Sequence, residues 1–398
     1  MNIACAQITT HSPVFRVVCK TNTVVCEQPV GRLRAECSLR VMDSVLAWMA
    51  LLARSGKGAR LVRREVSRAG SPVAAWQDWA KDHPREAVLT RDRAQRQHQS
   101  LQRLGAHVVT FHDPRYPALL AHIPDAPPVL YSRGTWPKAE GWGRALSVVG
   151  TRACSPQGAA WALQAGREWT EAGGRLVSGL ARGIDGRAHH GALNGSRGGA
   201  QVAVLPCALD AIHPRMHKGL AEAIVARGGL LLTEQPPGVQ VERWMFASRN
   251  RILTGLAPTT VVIQSPARGG SLISARCAFD QNREVFTLWQ LGMGASWSGN
   301  RALVADELAM PVADVNALWR AMAEGAQNRQ TGSVQGEVVA FPEGCREVWD
   351  ALNNTRPTTW DKLRKNCEGR TSDLERQLLT LEVLGWIRRL PGRAFLRN

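Results

Sequence analysis

The stretch Ser147-Val148-Val149-Gly150-Thr151-Arg152, followed by Ser155-Pro156, decides the fold. Apolar residues run into a glycine, and a serine–proline pair comes next. That order reads as strand, tight turn, helix start. Gly150 lets the backbone turn sharply, Ser155 is placed to cap a helix, and Pro156 suits its first position. A helix start offers unpaired backbone N–H groups to an anion, and Arg152 adds a charged fork beside them. In an open α/β sheet, ligands bind at such turns. A structural turn with a surface arginine fits the same residues.

The pattern recurs outward along the chain. Apolar, β-rich runs occur at Val108–Phe111, Ala145–Val149, Arg175–Val177, Gln201–Leu205, Gly229–Leu232, Thr260–Ile263 and Glu284–Thr287. Helix-length stretches separate most of them, among them Pro156–Ala172 and Arg187–Asn194. Buried strands joined by crossover helices predict an α/β fold with a mostly parallel, Rossmann-like sheet over residues 107–322. Before it, residues 42–106 read as helical, with Asp43-Ser44 as an N-cap pair ahead of the apolar run Val45–Ala53. Gly56-Lys57-Gly58 between two helices suits a helix-hairpin-helix-like unit whose glycines admit a phosphate. A plain αα-hairpin fits as well, because Lys57 stands where such hairpins carry an apolar residue. Residues 1–41 hold Cys5, Cys19, Cys26 and Cys37 without a clear period. They are expected to be disordered or to precede a true start at Met42. Residues 323–338 are polar and Gly-containing, and read as a linker. Residues 339–398 show three helices (343–352, 358–366, 371–384), then Trp386–Leu390 and Arg393–Leu396 about a Pro391-Gly392 turn. That is a winged-helix pattern.

The 398 residues carry 50 Lys+Arg against 33 Asp+Glu, a net charge of +17. A surplus of that size favours a polyanionic partner, nucleic acid first; a basic surface kept for solubility is the bland alternative. No segment reaches the roughly 20 apolar residues of a membrane span, so no membrane partner is expected. The nine cysteines fall at no metal-ligand spacing, so no metal is expected, and with no export signal they read as reduced thiols of a cytoplasmic protein.

Three further motifs carry candidate chemistry. Ser178-Gly179-Leu180-Ala181-Arg182-Gly183-Ile184-Asp185 puts two glycines and Arg182 at a strand end, with Asp185 placed to cap the helix carrying His189 and His190. Adjacent helical residues diverge, so the two histidines do not make a ligand pair. Arg243 and then Phe246-Ala247-Ser248-Arg249-Asn250-Arg251-Ile252 combine cations, an amide and an aromatic, a set that suits an unpaired nucleic-acid strand. A helix start with Phe246 in the core and its arginines solvated is the alternative. Ala267-Arg268-Gly269-Gly270-Ser271-Leu272 follows another strand and reads as an anion nest at a helix N-terminus. No Ser-His-Asp order, carboxylate pair or G-x-x-x-x-G-K-[ST] loop occurs, so no catalytic residue and no cofactor are expected.

These elements, in this order, closely resemble the DNA-processing protein A (DprA/Smf) family. The resemblance opens with Asp113-Pro114-Arg115-Tyr116-Pro117 and Ile123–Leu130. It runs through the motifs above and Thr233–Gly238, and ends with Gly270–Ile273 and Asn282–Phe286. It implies a protein that binds single-stranded DNA, protects it during natural transformation, helps load the RecA recombinase and forms a homodimer through the Rossmann-like domain. It carries the family's DNA pocket over to Gly150, Arg152, Arg243, Phe246, Arg249, Asn250, Arg251, Gly270 and Ser271, and we add Arg182. This chain departs from the family at Pro206 and Ala208 (usually Gly), near His213 (usually Tyr) and at Trp289-Gln290 (usually Pro-Gly). An enzyme that binds or cleaves nucleotides, with Glu234 as its acid–base group, is the rival reading. The winged helix, whose third helix carries Thr371, Ser372, Arg376 and Gln377 with Leu378, Leu381 and Leu384 on one stripe, fits duplex recognition or protein docking equally.

Overall fold

A computed structural model describes residues 15–19, 22–26, 42–54, 58–195, 200–290, 292–331, 342, 344–353, 358–367, 371–383, 386–390 and 394–397. Of the N-terminal stretch 1–41 it describes a hairpin, β1 (Phe15–Cys19) antiparallel to β2 (Asn22–Cys26). The rest of that stretch, expected to be disordered, lies outside the described residues, as do residues 55–57 of the expected glycine hairpin.

The helical region consists of Ser44–Leu52, Ala59–Ala69, Pro72–Asp82 and Pro84–Arg103. Its starts follow the local chemistry. Asp43 accepts the Leu46 N–H at 2.7 Å, and Ser71 accepts the Ala74 N–H at 3.1 Å ahead of Pro72. The expected break at 106/107 is not one. Trp48, Met49, Leu51 and Trp76 are buried in the same apolar cluster as Val129, Tyr131, Leu205 and Ile224 of the α/β region, and residues 1–319 form one compact unit. The helix Ser44–Leu52 is buried over most of its surface, so it needs apolar neighbours on more than one side.

Among the described residues the central sheet has nine strands. They are β3 (Ala106–Thr110), β4 (Val129–Gly134), β5 (Ala145–Val149), β6 (Arg175–Ser178), β7 (Gln201–Val204), β8 (Leu230–Thr233), β9 (Thr259–Val262), β10 (Glu284–Leu288) and β11 (Met310–Val312). Their spatial order is β11-β10-β9-β5-β6-β7-β8-β4-β3. β5 to β11 run parallel, while β4 pairs antiparallel with both β8 and β3. The mostly parallel, Rossmann-like sheet is therefore present, with an antiparallel edge. Every residue of β5, β7, β8 and β9 is buried, as expected of strands covered on both faces. Two strands of this sheet, β4 and β11, lie outside the apolar runs of the sequence. β11 contains Pro311, which an edge position tolerates. β4 lies within the Ile123–Leu130 motif and just beyond it.

The paired histidines part as helical geometry requires: His189 is fully buried and its Nδ1 is 2.9 Å from Gln201 Oε1, while His190 is exposed.

Residues 320–398 form a second compact unit. The expected linker needs correction, because residues 323–331 continue the helix Val315–Thr331. Ala317, Ala321, Ala323 and Ala326 supply helix propensity enough to carry the chain past Gly325. Residues 332–338 lie outside the described residues. Further on come Arg346–Ala351, β12 (Thr358–Thr359), Trp360–Asn366, Thr371–Val383, β13 (Ile387–Leu390) and β14 (Ala394–Arg397). The strands form an antiparallel sheet in the order β12-β14-β13. Leu378 and Leu381 join its core with Val348, Leu363 and Phe395; Leu384 lies outside the described residues. Among the described residues no helix is long and apolar enough to cross a membrane.

One consequence is measurable. Burial pushes the His189 pKa down to about 4 from 6.5, against the hydrogen bond that the ring donates to Gln201 Oε1. The unfolded chain then holds one more proton between those values, so stability present above pH 6.5 is lost as pH falls toward 4, by about 3 kcal/mol. Urea melts between pH 7 and 4.5 should show this loss, and His189→Gln should flatten it. Parallel pH profiles for parent and variant would remove His189 as the cause.

Candidate nucleic-acid interface

β5 and β9 are neighbours, with Val149 beside Val262, yet their chains leave toward opposite sides of the sheet order. A crevice opens outside the carboxyl ends of two such strands. Two loops floor it. After β5, Gly150 packs against Ile184 so closely that a Cβ there would overlap the isoleucine side chain and lie 2.9 Å from Gln264 O. Thr151 N–H donates to that same carbonyl at 2.7 Å. Ser155 then caps the helix Pro156–Glu171 by accepting the Gly158 N–H at 3.1 Å. After β9, Ser271 Oγ donates to Ser265 Oγ at 2.9 Å, and Gly270 opens the helix Gly270–Asp280.

Two side chains that carried no signal in the sequence lock these loops together. Gln264 Oε1 accepts the Ser155 N–H at 2.8 Å. Asn300, fully buried, accepts the Ser265 N–H at 2.7 Å and donates to the carbonyls of Ile263 at 3.0 Å and Leu288 at 2.9 Å.

The cleft has a volume of about 420 Å³ and brings together Gly150, Arg152, Arg243, Phe246, Arg249, Asn250, Gly270 and Ser271. Arg182 is exposed on the neighbouring loop and does not line it. One wall is the helix Arg243–Gly255, which turns residues 243, 246, 247 and 250 toward the cleft. Half-buried Phe246 is held from two sides. The Arg152 guanidinium lies 4.9 Å from its ring centroid and the His213 ring meets it edge-on at 5.4 Å. The family departure at His213 therefore touches a candidate contact residue.

Three expected roles need correction. Arg251 does not reach the cleft. It turns to the other side of its helix, where it pairs with Glu234 and with Asp125 at 3.1 Å. Residues i and i+2 of a helix cannot share a face, so Arg249 and Arg251 diverge. Arg249 lines the cleft from below and is only 6% exposed. Its Nη1 donates to Val204 O at 2.9 Å, and it lies so close to Gly179 that any side chain at 179 would displace it. Asn250 donates to Gly270 O at 3.1 Å and so braces the loop. Asp185 is not a helix cap: Gly183, at φ +76°, takes that position, and buried Asp185 accepts the Gly179 N–H at 3.2 Å. Burial disfavours charge on both Asp185 and Arg249, lifting the carboxyl pKa and lowering the guanidinium's, and for each the strongest opposing influence is the other's charge.

The free positive charge of the cleft therefore sits elsewhere. Arg152, Arg243 and Arg268 are exposed and line it, and their guanidinium groups make no hydrogen bond or ion pair with the described residues. Arg268 belongs to the expected anion nest. An aromatic face, three available guanidinium groups and a glycine-lined floor can take a phosphate backbone with a base against it.

Comparison with known proteins places the chain. The family described as DNA recombination-mediator protein A matches residues 107–323. Protein Smf of Escherichia coli (strain K12) is 31% identical over 310 residues, covering 73% of this chain and 78% of its own length. The DNA processing protein DprA of Streptococcus pneumoniae (strain R6) is 38% identical over 181 residues, covering 44% of this chain and 60% of its own. The X-ray structure of DNA processing protein A from Streptococcus pneumoniae superposes with a TM-score of 0.57 at 28% identity, covering 70% of this chain and 98% of that one. On the family match and the extent of the Smf identity, the chain belongs to the DprA/Smf family of DNA recombination-mediator proteins.

Proposed function

We propose that the protein is a non-catalytic binder of single-stranded DNA that acts in recombination during natural transformation. In this reading it protects the incoming strand and helps to load RecA. The observation that carries the reading is the convergence of unpaired Arg152, Arg243 and Arg268 with Phe246 on one glycine-floored cleft. At about 420 Å³ the cleft has the size of a small-ligand pocket. That admits an unpaired base with its sugar and phosphate. The net charge of +17 supports attraction at longer range. Homodimer formation and a cytoplasmic location belong to the same proposal. So does a winged helix at 339–398, supported by its order helix–strand–helix–helix–strand–strand.

The nucleotide-cleaving alternative needs an acid–base group at the cleft. Its candidate, Glu234, is engaged by Arg251 and by Ser248 Oγ at 3.3 Å, and it lines a different cavity.

Competition for the full chain should favour single-stranded over double-stranded DNA; equal competition would overturn the proposal. Arg152→Ala and Arg268→Ala should each flatten the log–log salt dependence of binding by about 0.7. Phe246→Ala should weaken binding by about 1–3 kcal/mol. Arg251→Ala should behave differently. It leaves the largely buried Glu234 without its cation, so it should cost about 2–3 kcal/mol of stability in urea melts while the salt slope stays that of the parent. A flattened slope for Arg251→Ala would return that residue to the phosphate contacts.

A further inference from the structure

The helix Arg243–Gly255 has a second open side. Trp244, Ser248 and Arg251, spaced i, i+4, i+7, line a cavity of about 560 Å³ between this helix and the N-terminal helices, whose Arg93 and Gln97 face it. Three of its features point to a ligand. Trp244 is 56% exposed, although its indole N–H is fixed to Glu242 Oε2 at 2.8 Å. Arg93 is exposed, and its guanidinium makes no hydrogen bond or ion pair with the described residues. Arg251, already paired through its other nitrogens with Glu234 and Asp125, keeps a buried Nη1 with no hydrogen-bond partner.

We propose that this cavity is a second nucleotide subsite, entered by the same unpaired strand after it crosses the N-terminal end of the helix from the Arg152–Phe246 cleft. The inference rests on the single-strand reading above and extends it. Trp244 offers a held aromatic face on which any base can stack, and Arg93 takes the adjoining phosphate. Arg251 Nη1 is buried in the free protein, so its donation to an acceptor on the base edge requires the guanidinium to turn toward the cavity. The wall that carries Glu234 suits a neutral base and not a phosphate, which places the phosphate toward Arg93. The two subsites lie on either side of one helix, a width of about 10–12 Å. A strand too short to span that width fills one of them.

The test is a length series of oligothymidylates bound to the full chain and to Trp244→Ala, Trp244→Phe, Arg93→Ala and Arg152→Ala. For strands long enough to reach both subsites, Trp244→Ala should lose roughly 5- to 150-fold in affinity. Trp244→Phe should restore much of it, and Arg93→Ala should flatten the salt slope by about 0.7. For the shortest strands that still bind, these variants should match the parent while Arg152→Ala remains weakened. If Trp244→Ala and Arg93→Ala match the parent at every length while Arg152→Ala is weakened throughout, the second subsite is overturned and the first cleft stands. If Arg152→Ala also matches the parent throughout, the single-strand reading of the cleft falls with it.

Discussion

The carboxyl ends of β5 and β9 must be held at a fixed separation, because the cleft is the space between the loops that leave them. The backbone does part of this. Thr151 N–H meets Gln264 O, and the close approach of Gly150 to Ile184 leaves no room for a side chain. Two buried amides do the rest. Gln264 ties the post-β9 loop to the start of the helix Pro156–Glu171, and Asn300 fastens the next turn to the sheet's own carbonyls. Buried amides are expensive unless satisfied. Asn300 meets that demand on both its oxygen and its nitrogen, whereas Gln264 spends its oxygen on Ser155 and keeps a buried Nε2 with no partner among the described residues, so its positioning role is set against an unmet burial cost.

The helix Arg243–Gly255 depends on that frame. Its cleft-facing side is braced through Asn250 to Gly270 and through Arg249 to Val204, while its other side is braced by Arg251 on Glu234 and Asp125. The helix is thereby fixed to four separate segments, at Gly270, Val204, Glu234 and Asp125. Phe246 and Arg243 project from its first turns with no brace of that kind, which leaves them available to a ligand. The available residues of the cleft-facing side occupy the first turns of the helix, and the braced ones, 249 to 251, follow in the next turn.

Much of the α/β core was legible in the sequence, because parallel strands buried on both faces read as short continuous apolar runs between helix-length spacers. β11 escaped because Met310-Pro311-Val312 is short and contains a proline. β4 escaped because it runs antiparallel beside β8, and its Ser132 and Arg133 break the apolar run. The candidate site was legible as a set of loops, not as a set of roles. The rule that separates His189 from His190 also separates Arg249 from Arg251, and applied to the Arg-Asn-Arg triplet it already denies both cations one face. That Arg249 would be buried was not legible, since it depends on Gly179 and Val204, distant in sequence. Gln264 and Asn300 are ordinary polar residues until the fold places carbonyls around them.

Burying Arg249 beneath the cleft has an electrostatic consequence of its own. An unpaired cation in a low-dielectric floor would be costly, and Asp185 offsets that cost without forming a direct ion pair. The two charges largely cancel at the distance of a ligand, so the floor contributes shape and hydrogen-bonding order more than attraction. Attraction falls to Arg152, Arg243 and Arg268 at the rim, where water and salt reach them. Exposed rim charges are screened, so in the proposed reading they hold a strand of any sequence and release it as salt rises. A floor made equally positive would hold phosphate more tightly, but nothing in it would distinguish an extended strand from any other polyanion. In the proposed single-strand reading, charge at the rim and an aromatic face inside together favour a backbone that also presents an unpaired base.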